Sequence, residues 1–154
     1  MNPYDAIIKL LKDNLINFEV LEHEPVFTSE QAAKVRGLSL DSGAKSLLLK
    51  ADKNFILVVL PGSRKIDSKK LKTKLGVKNL HFASPEDVEL FMHCKIGACY
   101  PFGSVTKLDT YIDESLLDQA SISFNPGVHT KSIKMDLADY LKIENPKRID
   151  ATQN

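Results

Sequence analysis

Apolar residues recur along this chain at helical spacing in some stretches and in short unbroken runs in others, and the breaks between them mark its elements. Tyr4, Ile8, Leu11 and Leu15 share one helical face. Asn2, Pro3 and Asp5 precede it as a cap, a first-turn proline and an early acid, which predicts an N-terminal helix. Residues 18–21 are β-compatible, and Pro25 ends that strand. Thr28 and Gln31 then form a T-x-x-Q capping box for a short second helix running toward Arg36, with Gly37 as its C-terminal cap.

Residues 44–50 and 55–60 are apolar runs too short for typical helices, and the turn-rich Ala51-Asp52-Lys53-Asn54 between them predicts a β-hairpin at the core. Pro61-Gly62 breaks it, Asp67 caps a basic helix that Gly76 closes, and Ser84-Pro85-Glu86-Asp87 opens another short helix. Beyond Gly97, Pro101 and Gly103, residues 110–112, 120–124 and 131–135 read as strands, and Asp136 caps a final helix through Lys142. The irregular alternation predicts an α/β fold: a mixed sheet, curled and barrel-like, surrounded by short helices. Residues 1–145 form the expected single domain, and 146–154 the expected loose C-terminal tail.

Composition narrows the classes. With 154 residues, 43% hydrophobic and 27% charged, the chain suits one globular domain that buries roughly two-thirds of its unfolded surface without metal clips or disulfides. Two cysteines, Cys94 and Cys99, are too few for a disulfide framework, nothing near the N-terminus reads as a signal peptide, and no apolar run approaches the ~20 residues that span a bilayer. A cytoplasmic protein with no membrane association is expected. A net charge of +1 gives no global signature for nucleic acid, but residues 64–78 hold seven basic residues and one acid. In that cluster Arg64, Lys65, Lys69 and Lys70 are the candidates for contact with acceptor-stem phosphates; the alternative is a solvated lysine-rich helix face.

Three positions could carry chemistry. Lys45, near the start of an apolar strand, is either a fixed charge for a phosphate or carbonyl oxygen or a strand-end lysine snorkelling into water. Gly97-Ala98-Cys99-Tyr100-Pro101 is a G-x-x-x-P segment that either presents bare backbone groups to a ligand or is an ordinary turn. His129, just past Asn125-Pro126-Gly127-Val128, is either aimed at a hydroxyl or simply solvated. Cys94 and Cys99 form a lone C-x₄-C with no second pair to complete a zinc site, so neither metal nor cofactor is expected. No G-x-S-x-G elbow, H-E-x-x-H motif or P-loop occurs.

Read together, these segments closely resemble the YbaK/ProX family of tRNA-editing domains, from about Phe18 to Lys142. The resemblance rests on Glu22-His23-Glu24-Pro25-Val26-Phe27-Thr28, Gly43-Ala44-Lys45-Ser46-Leu47, Gly97-Ala98-Cys99-Tyr100-Pro101-Phe102-Gly103 and Asn125-Pro126-Gly127-Val128-His129. It implies a hydrolase that cleaves the aminoacyl ester of a mischarged tRNA, often tRNA for proline. The implied partners are the acceptor end of that tRNA and prolyl-tRNA synthetase. Lys45 matches the family lysine thought to hold the terminal adenosine end, and Gly97 through Pro101, including Ala98, the loop thought to hold the aminoacyl group or the hydrolytic water. His129 matches a histidine of the branch that clears alanine from prolyl tRNA. Family placement also makes Val26, Phe27, Thr28 and Ala32 candidates for the pocket wall, against plain core packing. That branch usually carries asparagine after the lysine, where this chain has Ser46, a shorter hydroxyl, so deacylation is better supported than alanine as the residue removed. The competing class is a non-hydrolytic module that binds aminoacyl-tRNA or a synthetase.

Overall fold

The computed structural model describes residues 2–154. Its first helix, α1 (Pro3–Asp13), starts where expected, with the Asn2 side chain accepting from the Asp5 N–H at 2.8 Å. The buried stripe is Pro3, Ile7 and Leu11 rather than the expected one: Leu15 lies past the Asn14 cap at a positive φ and is 91% exposed. Strand β1 (Phe18–Glu22) follows, then α2 (Ser29–Arg36) between a Thr28 cap and a left-handed Gly37. The capping box is offset by one residue. Thr28 Oγ1 accepts from Gln31 N–H, while Gln31 Oε1 accepts from the N–H of Phe27 rather than of Thr28.

The predicted hairpin is β2 (Ala44–Ala51) with β3 (Asn54–Pro61), paired from Ala44↔Pro61 to Ala51↔Asn54. Asp67 caps α3 (Ser68–Leu75), and Gly76 ends it at φ +68. Then come β4 (Leu80–Phe82), α4 (Pro85–Met92), β5 (Asp109–Asp113), β6 (Ser121–Phe124), β7 (Lys131–Asp136), α5 (Leu137–Glu144) and β8 (Lys147–Ile149). Short 3₁₀ turns lie at Gly103–Val105 and Glu114–Asp118.

These strands build two open sheets, of order β1-β7-β6 and β4-β2-β3-β5-β8. They are stitched by one parallel bridge, Gly43↔Ser123, with the Ser123 N–H donating to Ser42 O at 3.1 Å. The expected barrel-like curl is therefore corrected: neither sheet closes, because β4 and β8 end the larger sheet at opposite edges. β3 pairs antiparallel with β2 but parallel with β5, so the chain crosses over a face of the sheet between them. Covered on both faces, β3 is buried from Ile56 to Leu60, which explains its unbroken apolar run. One core joins α1, α4, α5 and the inner faces of both sheets, with Phe102 edge-on to Phe124 and Tyr140. A second, including Leu49, Val58 and Leu60, lies under α3.

The loose tail is also corrected. Residues 147–149 pair in parallel with β5, and Ala151 and Thr152 are buried. The Asp113 carboxylate holds them, accepting from Ala151 N–H at 2.7 Å and Thr152 Oγ1 at 3.2 Å. The Lys65 and Ile66 backbone and the Asp67 N–H complete the attachment.

Candidate active site

β3 covers one edge of β2 along its whole length, but β4 covers the other only at Leu49–Ala51. Opposite residues 45–47 that second edge meets no strand. A cleft of about 360 Å³ opens there, between the β2 edge, the start of α2 and the loop around Gly97.

Of the residues expected at the site, the fold brings Val26, Phe27, Thr28, Ala32, Lys45, Ser46 and Gly97 to this cleft. The Thr28 cap turns the chain so that Val26 and Ala32 form a buried wall while Phe27 stands 64% exposed at its mouth. Lys45 is half-buried. Loss of water pushes its pKa below the ordinary lysine value, the Glu30 carboxylate opposes that shift, and the nearby Lys65 charge adds to it. Ser46 is only 7% exposed, and among the described residues its Oγ has no hydrogen-bond partner.

Gly97 sits at φ +88, a conformation a side chain would strain. A Cβ there would lie 3.3 Å from His129 Nε2 and 3.5 Å from Phe27 O, so the backbone passes as close to the imidazole as glycine allows. His129 itself does not line the cleft. Its Nε2 lies 3.1 Å from Ile96 O, and because a carbonyl only accepts, that nitrogen carries the proton and donates. The ring packs tilted against Phe27, centroids 4.8 Å apart, and the His129 carbonyl accepts from Val26 N–H at 3.0 Å. This geometry makes His129 a brace between α2's approach and the Gly97 loop.

Ala98 and Pro101, expected to touch substrate, are not brought to the cleft. Ala98 is 1% exposed, and its carbonyl accepts from Gly127 N–H. Pro101 is buried with its carbonyl taken by Tyr140 Oη at 2.6 Å. Cys99 does line the cleft, 4.0 Å from Cys94. The bond donated to Cys99, and burial after it, push the Cys94 thiol's pKa up, and the same bond pulls that of Cys99 down. Among the described residues no three His, Cys, Asp or Glu side chains are grouped to hold a metal, and no helix is long and apolar enough to cross a membrane.

Arg64, Lys65 and Lys69 are exposed, and Lys65 lies close enough to Lys45 for its charge to be felt there. Lys70 is committed elsewhere, to Asp150 at 3.1 Å and Thr152 O at 2.8 Å. Sequence reasoning missed Arg36 and the role of Asn125, both in the cleft wall. Arg36 Nε donates to Ser132 Oγ at 2.8 Å, Nη1 to Ser123 Oγ at 3.2 Å and Nη2 to Asn125 Oδ1 at 3.3 Å. The one available signal was spacing: Arg36 is four residues beyond Ala32, on the same helical face as the expected pocket wall.

The model of the aminoacyl-tRNA editing domain matches residues 23–143. A multifunctional Ser/Thr-tRNA deacylase, ProXp-y, of Escherichia coli K12 is 32% identical over 152 residues, 96% of this chain and 91% of that protein. The prolyl-tRNA editing protein ProX of Acetoanaerobium sticklandii is 29% identical over 149 residues, covering 93% and 91%. A crystal structure described as a candidate trans-editing enzyme for prolyl tRNA synthetase superposes with a TM-score of 0.87 at 22% identity, covering 100% of this chain and 99% of that one. Matched along nearly its whole length by relatives of this kind, the chain belongs to the aminoacyl-tRNA editing domain family.

Proposed function

We propose that this protein is a trans-editing hydrolase that cleaves the aminoacyl ester of a mischarged tRNA, removing a small noncognate amino acid from tRNA for proline. The observation that carries the reading is the cleft on the open edge of β2, where a desolvated ammonium, Lys45, and a positive-φ glycine, Gly97, line one space. An aminoacyl ester is already activated, so its hydrolysis needs a placed water and a stabilised oxyanion more than a strong protein nucleophile. Lys45 anchors the terminal nucleotide, and the Gly97 backbone orients the water or the oxyanion. The substrate's own ribose 2′-hydroxyl helps to activate the water. His129, with Nε2 engaged by Ile96 O, acts by holding the Gly97 loop and Phe27 in place. Exposed Arg64, Lys65 and Lys69 meet the acceptor-stem phosphates, a role supported by their exposure and by the Lys65 charge felt at Lys45.

The size of the space suits such work. An extra methylene in an apolar pocket discriminates by only roughly 1–3 kcal/mol, so errors among small amino acids need a separate site that accepts the wrong one. The test is release of labelled amino acid from tRNA for proline charged separately with alanine, serine, cysteine and proline, beside Lys45→Ala. Fast release of one noncognate residue, lost in the variant, is expected. Full release by Lys45→Ala would remove Lys45 from the mechanism, and tight binding of every charged tRNA without release would make the chain a binding module.

A further inference from the structure

Arg36 has an environment unlike that of the other cations in the fold. Its guanidinium is withdrawn from water into the cleft wall, and burial alone pushes its pKa down to about 10, so it still carries its charge at neutral pH. Among the described residues no carboxylate lies within salt-bridge distance of it. Its partners are two hydroxyls and an amide oxygen, all neutral.

The contacts behind those partners hold no carboxylate either. Ser132 Oγ, having accepted from Arg36, lies 2.7 Å from His23 Nε2, and His23 Nδ1 lies 2.8 Å from Glu24 O. A carbonyl only accepts, so Nδ1 carries a proton and donates to it. Asn125 is fixed as well, its Nδ2 donating to Val128 O at 3.3 Å and Lys131 O at 3.2 Å, which forces Oδ1 toward Arg36. Nothing in the shell compensates the positive charge.

A cation held in a cleft without a counter-ion is costly to the folded protein, and an anionic ligand group removes that cost on binding. A guanidinium has five N–H groups, and three are used here, which leaves two for a ligand. Resting on the editing reading above, we infer that Arg36 is the anion-holding residue of this cleft, its two unused N–H groups taking a phosphodiester of the tRNA acceptor end. The carboxylate of the released amino acid shares that chemistry and is the alternative source.

The experiment compares wild type, Arg36→Gln and Arg36→Lys on two esters of the same amino acid: an aminoacylated RNA minihelix, and the amino acid esterified to adenosine, which has no phosphate. Hydrogen bonds to a charged group are strong enough that Arg36→Gln is expected to lower kcat/KM on the minihelix by about tenfold to a hundredfold, while the adenosine ester changes by less than about twofold. Arg36→Lys, which keeps the charge but not the fork, falls between. Unchanged kcat/KM on both esters, together with lost inhibition by the free amino acid, assigns the site to the product carboxylate, which exists only after the ester is cleaved. Equal losses on both esters with product inhibition unchanged overturn the inference and leave Arg36 as a brace for α2.

A second measurement covers variants that fail to fold and a wild type that cleaves neither ester. Inorganic phosphate titrated into wild-type protein should shift the Arg36 Nε–H resonance in a ¹⁵N spectrum. A resonance that stays still up to tens of millimolar phosphate overturns the anion site by itself. A shift without hydrolysis of either ester keeps the anion site and defeats the editing reading instead.

Discussion

Gly97→Ala tests whether the loop and the histidine behind it act as one device. The added methyl faces two costs. First, φ +88 lies in the region L residues avoid, where the clash of Cβ with the backbone costs roughly 1–2 kcal/mol. Second, the methyl would sit 3.3 Å from His129 Nε2, so the ring must give by a few tenths of an ångström or the loop must. The ring is held from two sides, by Ile96 O at 3.1 Å and by Phe27 packed against it at 4.8 Å, so the displacement passes into the cleft wall. Stability should fall by about 1–2 kcal/mol, read from urea unfolding midpoints at unchanged slope. Single-turnover deacylation should fall by about 10²-fold, the scale on which small misplacements act.

The cause is separable by a double-mutant cycle. In a His129→Ala background the methyl meets open space where Nε2 was, while the backbone strain persists. The Gly97→Ala penalty on stability should then be retained and its penalty on rate relieved, with a coupling of at least ~0.5 kcal/mol in the activation free energy. Equal rate penalties in both backgrounds would refute the argument, because they would mean that the Gly97 N–H acts without reference to the imidazole.

Three other outcomes follow from the same geometry. Lys45→Met should lose deacylation by about 10²-fold or more while its urea midpoint stays level or rises: burial depresses the folded-state pKa, so the ammonium opposes folding below that pKa, the opposition fades as pH rises from the folded to the unfolded value, and an apolar residue never meets it. A clear fall in urea midpoint at pH 7 would contradict this. Asp113→Ala strands the buried Ala151 N–H and uncaps the 114–118 turn, at about 2–4 kcal/mol, and should make residues 147–154 the first segment cut in limited proteolysis. Gly103→Ala places a methyl 2.5 Å from Leu108 O and into Thr110 Oγ1, so it should yield no soluble folded protein; normal expression and melting would show that the Gly103 turn yields more easily than its backbone contacts imply.

What the sequence made legible has a common physical character: it is local. The Asn2, Thr28, Asp67 and Ser84 caps each accept from an N–H three residues on, and the 51–54 turn closes its own hairpin. Lys45, Gly97 and the start of α2 were legible because each sits in a contiguous motif. β4 and β8 were not, being three residues each with two of the three exposed or charged, too short for any period to register. The tail was misread because what holds it, Asp113, is 38 positions from Ala151. Arg36 was passed over for the same reason: its partners Ser123 and Ser132 stand 87 and 96 positions away, and only the folded chain brings them together.

The shortness of β4 is also what makes a site possible. Pairing over Leu49–Ala51 ends where Ala83 N–H donates to Leu48 O, and the chain then turns into the Ser84 cap of α4 instead of continuing along β2. Three more residues of β4 would satisfy the edge beside Lys45 and Ser46 and fill the cleft with strand. Among the described residues, groups left costly in the folded state gather at that one opening: a desolvated ammonium at Lys45, a guanidinium at Arg36 with no counter-ion and a buried hydroxyl at Ser46 with no partner. Elsewhere comparable groups are matched, as Asp113 is by the tail and Tyr140 by Pro101. A ligand that supplies the missing partners binds with free energy the fold has held in reserve, which is the physical sense in which the cleft is built for a substrate rather than for stability.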